Sequence, residues 1–331
     1  MIRIRPIEMR DLDALVELAS LSSGGITSLP ADRTLLRERI EDSFHAFSKT
    51  VTRPKDESYL FVLETSEGVI GCSGLNSQIG EPEPPWAFHL THHHQHSDYL
   101  PVDKQLKLLV PTTLGSGPSE ICSLYLHPDH RQGGLGRLLS LSRLLFVGAF
   151  PDRFGSEIMA LLRGFSPSHF FEEVMRPFFD LPFDEVDERR YRDGRFIPDL
   201  APRHPFYVAL LSHKVRSTIG KAHPNTEPAL RLLKQENFHF TRWVDLLDAG
   251  PFFGAKTKEI RTLRVRVPTP VAKITNTALH STPHLLSNER IDFRATIAHI
   301  QVEQGGVVID AEAAAALEVK EGDTIAYAHP F

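Results

Sequence analysis

The spacing of apolar residues predicts a chain that mixes strands and helices from its first residues onward. Residues 2–7 alternate as a strand does, and residues 9–21 and 31–50 place apolar side chains at helical spacing. Residues 59–74 contain two apolar runs split by a short polar turn, which predicts a hairpin. Residues 119–126 alternate again before a glycine-rich turn and a strongly apolar helix. We therefore predict an α/β chain of the α+β kind, with helices packed on a sheet.

The middle of the chain interrupts this regular order. A strand is predicted at residues 157–162 and a phenylalanine-rich helix at residues 168–180. Residues 181–220 are charged, contain proline and are partly helical, so we interpret them as an insertion. A closing helix and strand are predicted over residues 226–248. Asn237 should end that helix, because asparagine tolerates left-handed backbone geometry.

The last part of the chain has a different pattern. Residues 267–270, Val-Pro-Thr-Pro, are typical of a linker. We therefore divide the chain into a main unit at residues 1–266 and a small β-rich C-terminal module at residues 267–331. Within this module the pattern predicts strands near residues 293–302 and 307–309, a helix at 311–317 and a final turn and strand at 321–327. Packing, dimerisation and association with a sister subunit remain open as its role.

The composition is that of an ordinary soluble globular protein. The 331 residues are 41% hydrophobic and 24% charged, with a formal net charge of -5. This charge offers no electrostatic attraction to nucleic acid or to an anionic membrane, although a local basic groove for an anionic ligand remains compatible with it. The two cysteines, Cys72 and Cys122, form no disulfide framework, and the N-terminus lacks an apolar signal segment. We expect a cytoplasmic protein.

The most informative local pattern is the turn after the strand at residues 119–126. There Arg131, Gly134 and Gly136 are spaced as Arg-x-x-Gly-x-Gly before the apolar helix. Because glycines lack side chains, the backbone N–H groups of the first helical turn can approach a ligand, and their positive ends favour a phosphate. The glycine patterns of a P-loop and of a dinucleotide site are both absent. The residues alone leave a strand–helix turn without a ligand as the alternative.

This turn resembles the coenzyme A signature of the GNAT N-acyltransferases, whose Arg/Gln-x-x-Gly-x-Gly/Ala loop holds the pyrophosphate of an acyl-CoA. Further segments are similar to those of the arginine N-succinyltransferase family, and they extend from the first residue to about residue 266. They read SSGGITSLP at 22–30, SEIC at 119–122, GKAHPNT at 220–226 and DLLDAGP at 245–251. The resemblance implies a GNAT-like N-acyltransferase fold with a helical insertion. It also implies succinyl-CoA as acyl-donor substrate and no permanently bound cofactor.

The resemblance assigns four residues to binding of the acyl donor. Leu124 occupies the position at which family members contact succinyl-CoA. Arg131, Gly134 and Gly136 would hold the pyrophosphate of the same molecule. In the strand before the turn, backbone N–H groups near Leu124 would pair with the pantetheine arm and polarise the thioester carbonyl.

The resemblance also implies a catalytic histidine. His223 occupies the position of the family's proposed proton donor to the departing thiolate. Many GNAT enzymes use a tyrosine of the last helix for this proton, but this chain has Leu232 and Leu233 there. Without the family context, a single histidine before a helix is more typical of a capping or surface residue.

The residues that would bind an amino-acid acceptor are less specific. The turn with Ser23, Gly24 and Thr27 could supply N–H and hydroxyl donors to an α-carboxylate, and His96 is a weak further candidate because the family also places a histidine there. A guanidinium group requires carboxylates as planar acceptors. The candidates for that role are Glu120, Asp245 and Asp248, and the sequence does not choose among them.

A histidine-rich tract at residues 89–96 invites a metal interpretation. His92, His94 and His96 would share one face of a strand, and three imidazoles can bind zinc. No cysteine joins them at a familiar spacing, and Asp98 is the one nearby carboxylate. Acyl transfer from coenzyme A requires no metal, so we predict no physiological metal site.

The resemblance implies transfer of the succinyl group from succinyl-CoA to the α-amino group of L-arginine, a step in arginine catabolism, by direct attack in a ternary complex. Two alternatives remain open: ornithine as the principal or second acceptor, and a non-catalytic subunit that binds coenzyme A. Attack by Cys122 as a covalent nucleophile is disfavoured, because no activating histidine or helix N-terminus is adjacent to it in the sequence. We expect a homo-oligomer, or a hetero-oligomer with a paralogous subunit.

Overall fold

The computed structural model describes residues 1–22, 29–80, 85–115 and 117–329. Its strands are β1 Arg3–Pro6, β2 Ser58–Thr65, β3 Gly68–Asn76, β4 Trp86–Ser97, β5 Val102–Thr113, β6 Ser119–Leu126, β7 Glu157–Leu161, β8 Phe206–Tyr207, β9 His239–Asp245, β10 Pro251–Lys256, β11 Val267–Thr275, β12 Pro283–Asn288, β13 Ala295–His299, β14 Gln301–Glu303, β15 Gly306–Asp310 and β16 Thr324–Ala328. Its α-helices are α1 Leu12–Leu21, α2 Arg33–Ser48, α3 Leu135–Ala149, α4 Pro167–Phe170, α5 Arg176–Phe179, α6 Phe183–Arg192, α7 Phe196–Leu200, α8 His213–Arg216, α9 Glu227–Gln235, α10 Arg261–Val265 and α11 Ala311–Leu317.

The strands join into one extended sheet. Their order is β14-β15-β11-β16-β12-β13-β1-β2-β3-β6-β7-β10-β9-β4-β5-β8. Neighbouring strands are antiparallel except in the pairs β6–β7 and β11–β15, which are parallel. The β6–β7 pair is short, since only Ser119 with Ile158 and Glu120 with Met159 are in register. Beyond Glu120 the two strands separate, which opens a gap in the middle of the sheet.

Helices cover both faces of the central strands. Leu60 and Val62 of β2 belong to the hydrophobic cluster that contains α1 and α2, whereas Tyr59 and Phe61 belong to the cluster that contains α3 and α9. Alternate residues of a strand point to opposite faces, so this division places α1 and α2 on one face and α3 and α9 on the other. The gap between β6 and β7 is therefore accessible from two differently built faces.

Several elements confirm the predictions from the sequence. The helix predicted at 31–50 is α2, and the side chain of Asp32 accepts hydrogen bonds from the main-chain N–H groups of Thr34 and Leu35 at its start. The helix predicted at 311–317 is α11. Asn237 follows α9 with φ of 66°, as the left-handed end of that helix requires. The segment predicted as one helix at 168–180 instead contains α4, a π-helical turn at Phe171–Met175 and α5.

The linker predicted at residues 267–270 is wrong, because these residues begin β11 and pair with β16. Pro268 and Pro270 are two positions apart, so both lack their N–H on the same side of the strand. The parallel partner on the other side, β15, is in register only from Val271 onward. The two prolines are therefore tolerated because β15 does not pair with this part of β11, so no ladder hydrogen bond from their positions is lost.

The long hairpin of β4 and β5, which no pattern in the sequence predicts, pairs along its full length and joins the sheet through β9. Residues 181–220 contain α6, α7, β8 and α8, and several of them pack in a separate hydrophobic cluster with Phe88 and Leu109. The sheet continues from β1 to β13 through the pair Ile4 and Ala295. No helix within the described ranges is both long and apolar enough to cross a membrane.

Candidate active site

The gap between β6 and β7 lies beside a bulge in β6. The register between β3 and β6 shifts between Cys72 and Gly74, opposite Ser123, whose φ of 51° is unusual for a residue with a side chain. The Nη2 of Arg39 donates a hydrogen bond of 2.9 Å to the Oγ of Ser123. Such a bulge redirects the main chain of β6, and Leu124 follows it directly. Leu124 is thereby placed at the widening part of the gap.

A narrow cavity occupies the gap on the face covered by α3 and α9. Its volume is about 70 Å³, enough for a thin chain of atoms. The lining combines residues of β6, β7 and both helices. These are Ile121, Cys122, Ser123, Leu124, Ser140, Arg143, Ala160, Leu161, Leu162, Arg163, Thr226, Ala229 and Leu233. The predicted donor-binding residue Leu124 is therefore in the wall of this cavity.

A larger cavity of about 790 Å³ lies on the face covered by α2 and α6. Its wall carries Glu38, Asp42, Glu120 and other acids together with several arginines, so charged groups of both signs face the space. This volume suits a small polar ligand. Cys122 and Leu161 line both cavities, so the two cavities adjoin at the gap between β6 and β7.

The glycine turn begins α3 in the geometry that the sequence predicts. Gly133 and Gly134 have φ values of 64° and 81°, which residues with side chains adopt rarely. Gly134 is the N-cap of α3 and supplies no capping side chain. The N–H of Leu135 donates to the carbonyl oxygen of Gln132 at 3.3 Å, whereas the N–H of Gly136 has no acceptor among the described residues. A Cβ on Gly136 would meet only the Leu126 side chain, at 3.9 Å. The turn is thus open to an anion.

Arg131 stands exposed next to this turn. Its Nε donates a hydrogen bond of 3.1 Å to the carbonyl oxygen of Leu126, and its guanidinium lies 5.6 Å from the centre of the Tyr125 ring. These contacts hold the side chain against the end of β6. Gly134 and Gly136 therefore lie at the N-terminus of α3, and the Arg131 side chain lies at the end of β6 that leads into the same turn.

His223 lies before α9, where it caps a short turn at Pro224–Thr226. Its main-chain N–H donates to the carbonyl oxygen of Arg163 at 2.8 Å, which places it at the end of β7. The Nδ1 of its ring accepts a hydrogen bond of 3.2 Å from the N–H of Asn225, and this assigns the ring proton to Nε2. Burial and the charge of Arg163 lower the pKa of His223 below its usual value. The neutral imidazole with Nε2–H is therefore the favoured form at pH 7.

Glu120 is the acid closest to the gap, because it belongs to the last paired position of β6 and β7. The Nδ2 of Asn76 donates a hydrogen bond of 2.8 Å to its Oε2. Burial raises the pKa of Glu120, and the bond from Asn76 opposes that change. A raised pKa makes this carboxylate a stronger base than an ordinary glutamate.

Asp245 and Asp248 are already engaged by the protein. The Oδ1 of Asp245 accepts from the N–H groups of Leu247 and Asp248, and its Oδ2 accepts from Arg190. The two oxygens of Asp248 accept from Arg163, Gly164 and Gly250. Of the three acids predicted for a guanidinium, Glu120 has the fewest hydrogen bonds to the described residues, since it accepts one where Asp245 and Asp248 accept three each.

Tyr191 of α6 lines the larger cavity, although no pattern in the sequence predicts a site role for it. Its hydroxyl is buried at the larger cavity, and it has no hydrogen-bond partner among the residues that the structure describes. Burial raises the pKa of Tyr191 to about 12, so the phenol remains protonated. No local signal marks this residue, because α6 reaches the cavity only through the tertiary fold.

The remaining predicted residues lie elsewhere. Ser23, Gly24 and Thr27 fall outside the described residues. The ring of His96 lies 3.0 Å from Asp98 at the far end of β4, and it is not part of either cavity wall as described. Across the described ranges, no group of three or more His, Cys, Asp or Glu side chains is placed to hold a metal ion.

A sheet parted between two parallel strands, a bulge beside the gap and a glycine turn at a helix N-terminus define an N-acyltransferase fold of the GNAT type. Residues 2–262 match the family described as "Arginine N-succinyltransferase beta subunit", and residues 267–329 match its C-terminal domain. This chain belongs to the arginine N-succinyltransferase beta subunit family. The predicted family and fold are thereby confirmed.

Similar proteins match over nearly the whole chain. An "Arginine N-succinyltransferase subunit beta" of Pseudomonas aeruginosa is 36% identical, over 97% of this chain and 96% of that protein. An "Arginine N-succinyltransferase" of Enterobacter sp. (strain 638) is 34% identical, over 98% of this chain and 96% of that protein. The solved structure of arginine/ornithine succinyltransferase subunit AI from Pseudomonas aeruginosa superimposes with a TM-score of 0.90 at 30% identity, covering 100% of this chain and 99% of that one.

Proposed function

We propose that this chain is an arginine N-succinyltransferase. In the reaction the α-amino nitrogen of L-arginine forms a bond to the thioester carbon of succinyl-CoA, and the carbon–sulfur bond breaks. The products are N2-succinylarginine and free coenzyme A. The observation that carries the proposal is that two cavities on opposite faces of one gap in the sheet share Cys122 and Leu161 in their walls. In this arrangement the donor and the acceptor approach the gap from opposite faces.

The donor enters on the face of α3 in this proposal. Its pyrophosphate binds the main-chain N–H groups at the start of α3, which carry a partial positive charge, and the exposed cationic side chain of Arg131. The pantetheine arm runs into the narrow cavity beside Leu124. A main-chain N–H of the bulged part of β6 polarises the thioester carbonyl by donating a hydrogen bond to its oxygen.

The acceptor occupies the polar cavity under α2 and α6. Glu120 takes the proton that the attacking ammonium nitrogen must lose, since burial raises its pKa and it stands at the closed end of the gap. After attack the nitrogen loses its second proton, and the sulfur takes up one proton as the carbon–sulfur bond breaks. We assign this transfer, and so the role of proton donor to the sulfur, to His223, which neighbours Arg163 and Thr226 of the narrow cavity wall and carries its ring proton on Nε2 in the neutral form.

Direct attack is favoured over a covalent enzyme intermediate. Burial raises the pKa of the Cys122 thiol to about 11, and the neighbouring charge of Glu120 adds to that effect. The thiol therefore remains protonated at pH 7, and only the thiolate is an effective nucleophile. Attack within a ternary complex requires no such group.

Two variants of the proposal are kept. Ornithine presents the same α-amino group as arginine, and the solved relative is described as an arginine/ornithine succinyltransferase. A non-catalytic subunit that binds coenzyme A is the second variant. Many GNAT enzymes use a tyrosine of the last helix as proton donor, and this chain has Leu232 and Leu233 there instead. We also propose a cytoplasmic oligomer, with copies of this chain or with a paralogous subunit, since similar proteins are described as subunits.

The test is release of free thiol from succinyl-CoA, with arginine, ornithine and lysine as acceptors and acetyl-CoA as the control donor. Mass spectrometry of the acylated product identifies the nitrogen that reacts. We expect turnover with succinyl-CoA and arginine, and a lower rate with lysine. Measurable binding of coenzyme A with no thiol release for any acceptor would support the non-catalytic subunit instead.

A further inference from the structure

Arg143 is a buried cation in the wall of the narrow cavity. It lies in the middle of α3, and only 2% of its surface is exposed. Burial lowers the pKa of Arg143 to about 10, so the guanidinium stays charged at neutral pH. Within the described ranges no carboxylate lies at ion-pair distance from it. A buried charge without an opposite charge is costly and is rarely retained without a reason.

The hydrogen bonds of Arg143 go to uncharged acceptors. Its Nε donates to the carbonyl oxygen of Ser140 at 3.0 Å, and its Nη2 donates to the Oγ of the same residue at 3.1 Å. Its Nη1 donates to the carbonyl oxygen of Cys122 at 3.1 Å. These bonds use three of the five N–H groups of a guanidinium, so each terminal nitrogen retains one donor.

The second arginine in the same cavity wall behaves differently. Arg163 forms ion pairs of 2.6 Å with Asp187 and 3.3 Å with Asp248, so its charge is balanced by the protein. Arg143 is thus the cation in this wall whose charge the described residues leave uncompensated. An anionic ligand would supply the missing charge, and a guanidinium binds a carboxylate through paired hydrogen bonds.

The position of Arg143 fits the far end of a short dicarboxylic acyl chain. Its hydrogen bond reaches Cys122, which is two residues before Leu124 on β6. Two strand residues span about 7 Å. A four-carbon acyl chain extends about 4 Å from its thioester carbon to its carboxyl carbon, and a hydrogen bond adds about 3 Å.

We propose that Arg143 binds the distal carboxylate of the acyl group and thereby selects a dicarboxylic acyl-CoA over an uncharged one. This inference rests on the proposed function, since it requires an acyl donor in the narrow cavity. The bond from Arg143 to Cys122 also ties α3 to the bulged strand, so the test must separate ligand recognition from structural support.

The experiment compares two donors that differ only in charge at the end of the chain. Succinyl-CoA and butyryl-CoA carry acyl groups of equal carbon number, and kcat/KM is measured for both with arginine as acceptor. We expect Arg143→Met to lower kcat/KM for succinyl-CoA by about 100-fold or more, because a buried carboxylate would lose its ion pair. Its kcat/KM for butyryl-CoA should stay equal or rise. The kcat/KM of Arg143→Lys for succinyl-CoA should lie between those of the wild type and Arg143→Met, because lysine keeps the charge without the paired donors.

The matched control is Arg153→Met. Arg153 is also buried and bonds to the carbonyl oxygens of Ala46 and Lys49, but it lies outside the narrow cavity. We expect the ratio of kcat/KM for succinyl-CoA to kcat/KM for butyryl-CoA in that variant to equal the wild-type ratio. An equal loss for both donors in Arg143→Met would overturn the inference and show a structural role.

A wild-type measurement keeps the test decisive if Arg143→Met does not fold. Calorimetry should show that the wild-type protein binds succinyl-CoA at least tenfold more tightly than butyryl-CoA. Equal binding of both would overturn the inference even if thiol release confirms the proposed function. Absence of turnover in the wild type, with a clear preference for succinyl-CoA in binding, would instead contradict the proposed function alone.

Discussion

The main-chain N–H of His223 donates to the carbonyl oxygen of Arg163 at 2.8 Å, which fixes the turn before α9 against the end of β7. The imidazole is held in turn by Asn225, whose N–H donates to Nδ1. The Nε2–H of the neutral ring has no hydrogen-bond partner among the described residues. His223 is therefore both a capping residue and a donor presented near the gap in the sheet, so the two interpretations of this histidine are compatible.

The chemical role of His223 can be separated from its capping role by His223→Asn. Asparagine can still accept the N–H of Asn225, but it cannot place a donor at the position of Nε2. We expect kcat to fall by about 100-fold with little change in KM for succinyl-CoA. His127→Asn is the control, because His127 caps the Pro128–His130 turn through Nδ1 in the same way. A wild-type kcat in His223→Asn would contradict the role.

The pH profile of kcat gives the sign of this effect. Burial lowers the pKa of His223, so protonation occurs only below its usual range. Activity that depends on the neutral ring should be complete above that lowered pKa and should decline as pH falls through it. The decline should be absent from the residual activity of His223→Asn. A His223-dependent loss on the alkaline side would show that the imidazolium is the active form.

Arg131→Ala tests the proposed pyrophosphate site. The side chain is exposed, and it makes one hydrogen bond to Leu126 and one cation–π contact with Tyr125 among the described residues, so we expect almost no change in melting temperature. Loss of a charged contact to phosphate should raise the dissociation constant of coenzyme A about tenfold. Desulfo-coenzyme A titrated by calorimetry measures this without turnover. Arg10→Ala, another exposed arginine, is the control, and equal affinity of both variants would count against the assignment.

The sequence predicted the parts of this site that rest on local geometry. The strand, the glycine turn and α3 follow one another in the chain, and the positive φ of Gly134 and of Asn237 matches residue types that adopt it easily. The family resemblance carried His223 and Leu124, for which periodicity alone offers no role. Each of these expectations depends on a few consecutive residues.

The parts that the sequence did not predict depend on contacts between distant segments. The separation of β6 from β7 follows from how two strands pair, and neither strand shows it alone. Tyr191 and Arg143 reach the cavities from helices whose patterns are those of ordinary packing helices. Residues 267–270 suggest a linker because of their two prolines, and only the pairing of β11 shows that they begin a strand whose second neighbour joins later.

Glu64→Gln tests how β1 is held to the sheet. Hydrogen bonds from Arg5 and Arg3 lower the pKa of Glu64 to about 2. A lowered pKa contributes stability that is present above the unfolded value of about 4.3 and is lost as pH falls toward 2. We expect Glu64→Gln to reduce the free energy of unfolding by about 2 kcal/mol at pH 7 and to flatten its dependence between pH 5 and 2. Urea unfolding across that range, with the exposed Glu67→Gln as control, measures both effects.

Tyr191→Phe should have opposite effects on stability and on acceptor binding. The buried hydroxyl has no partner among the described residues, so its removal should leave the melting temperature equal or raise it. If the hydroxyl binds the acceptor, the KM for arginine should rise about fivefold, the equivalent of one neutral hydrogen bond, while the KM for succinyl-CoA stays unchanged. Tyr207→Phe, in β8 and outside the wall of the larger cavity, is the control. Unchanged KM values for both substrates would show that α6 supports the cavity without contacting the acceptor through this group.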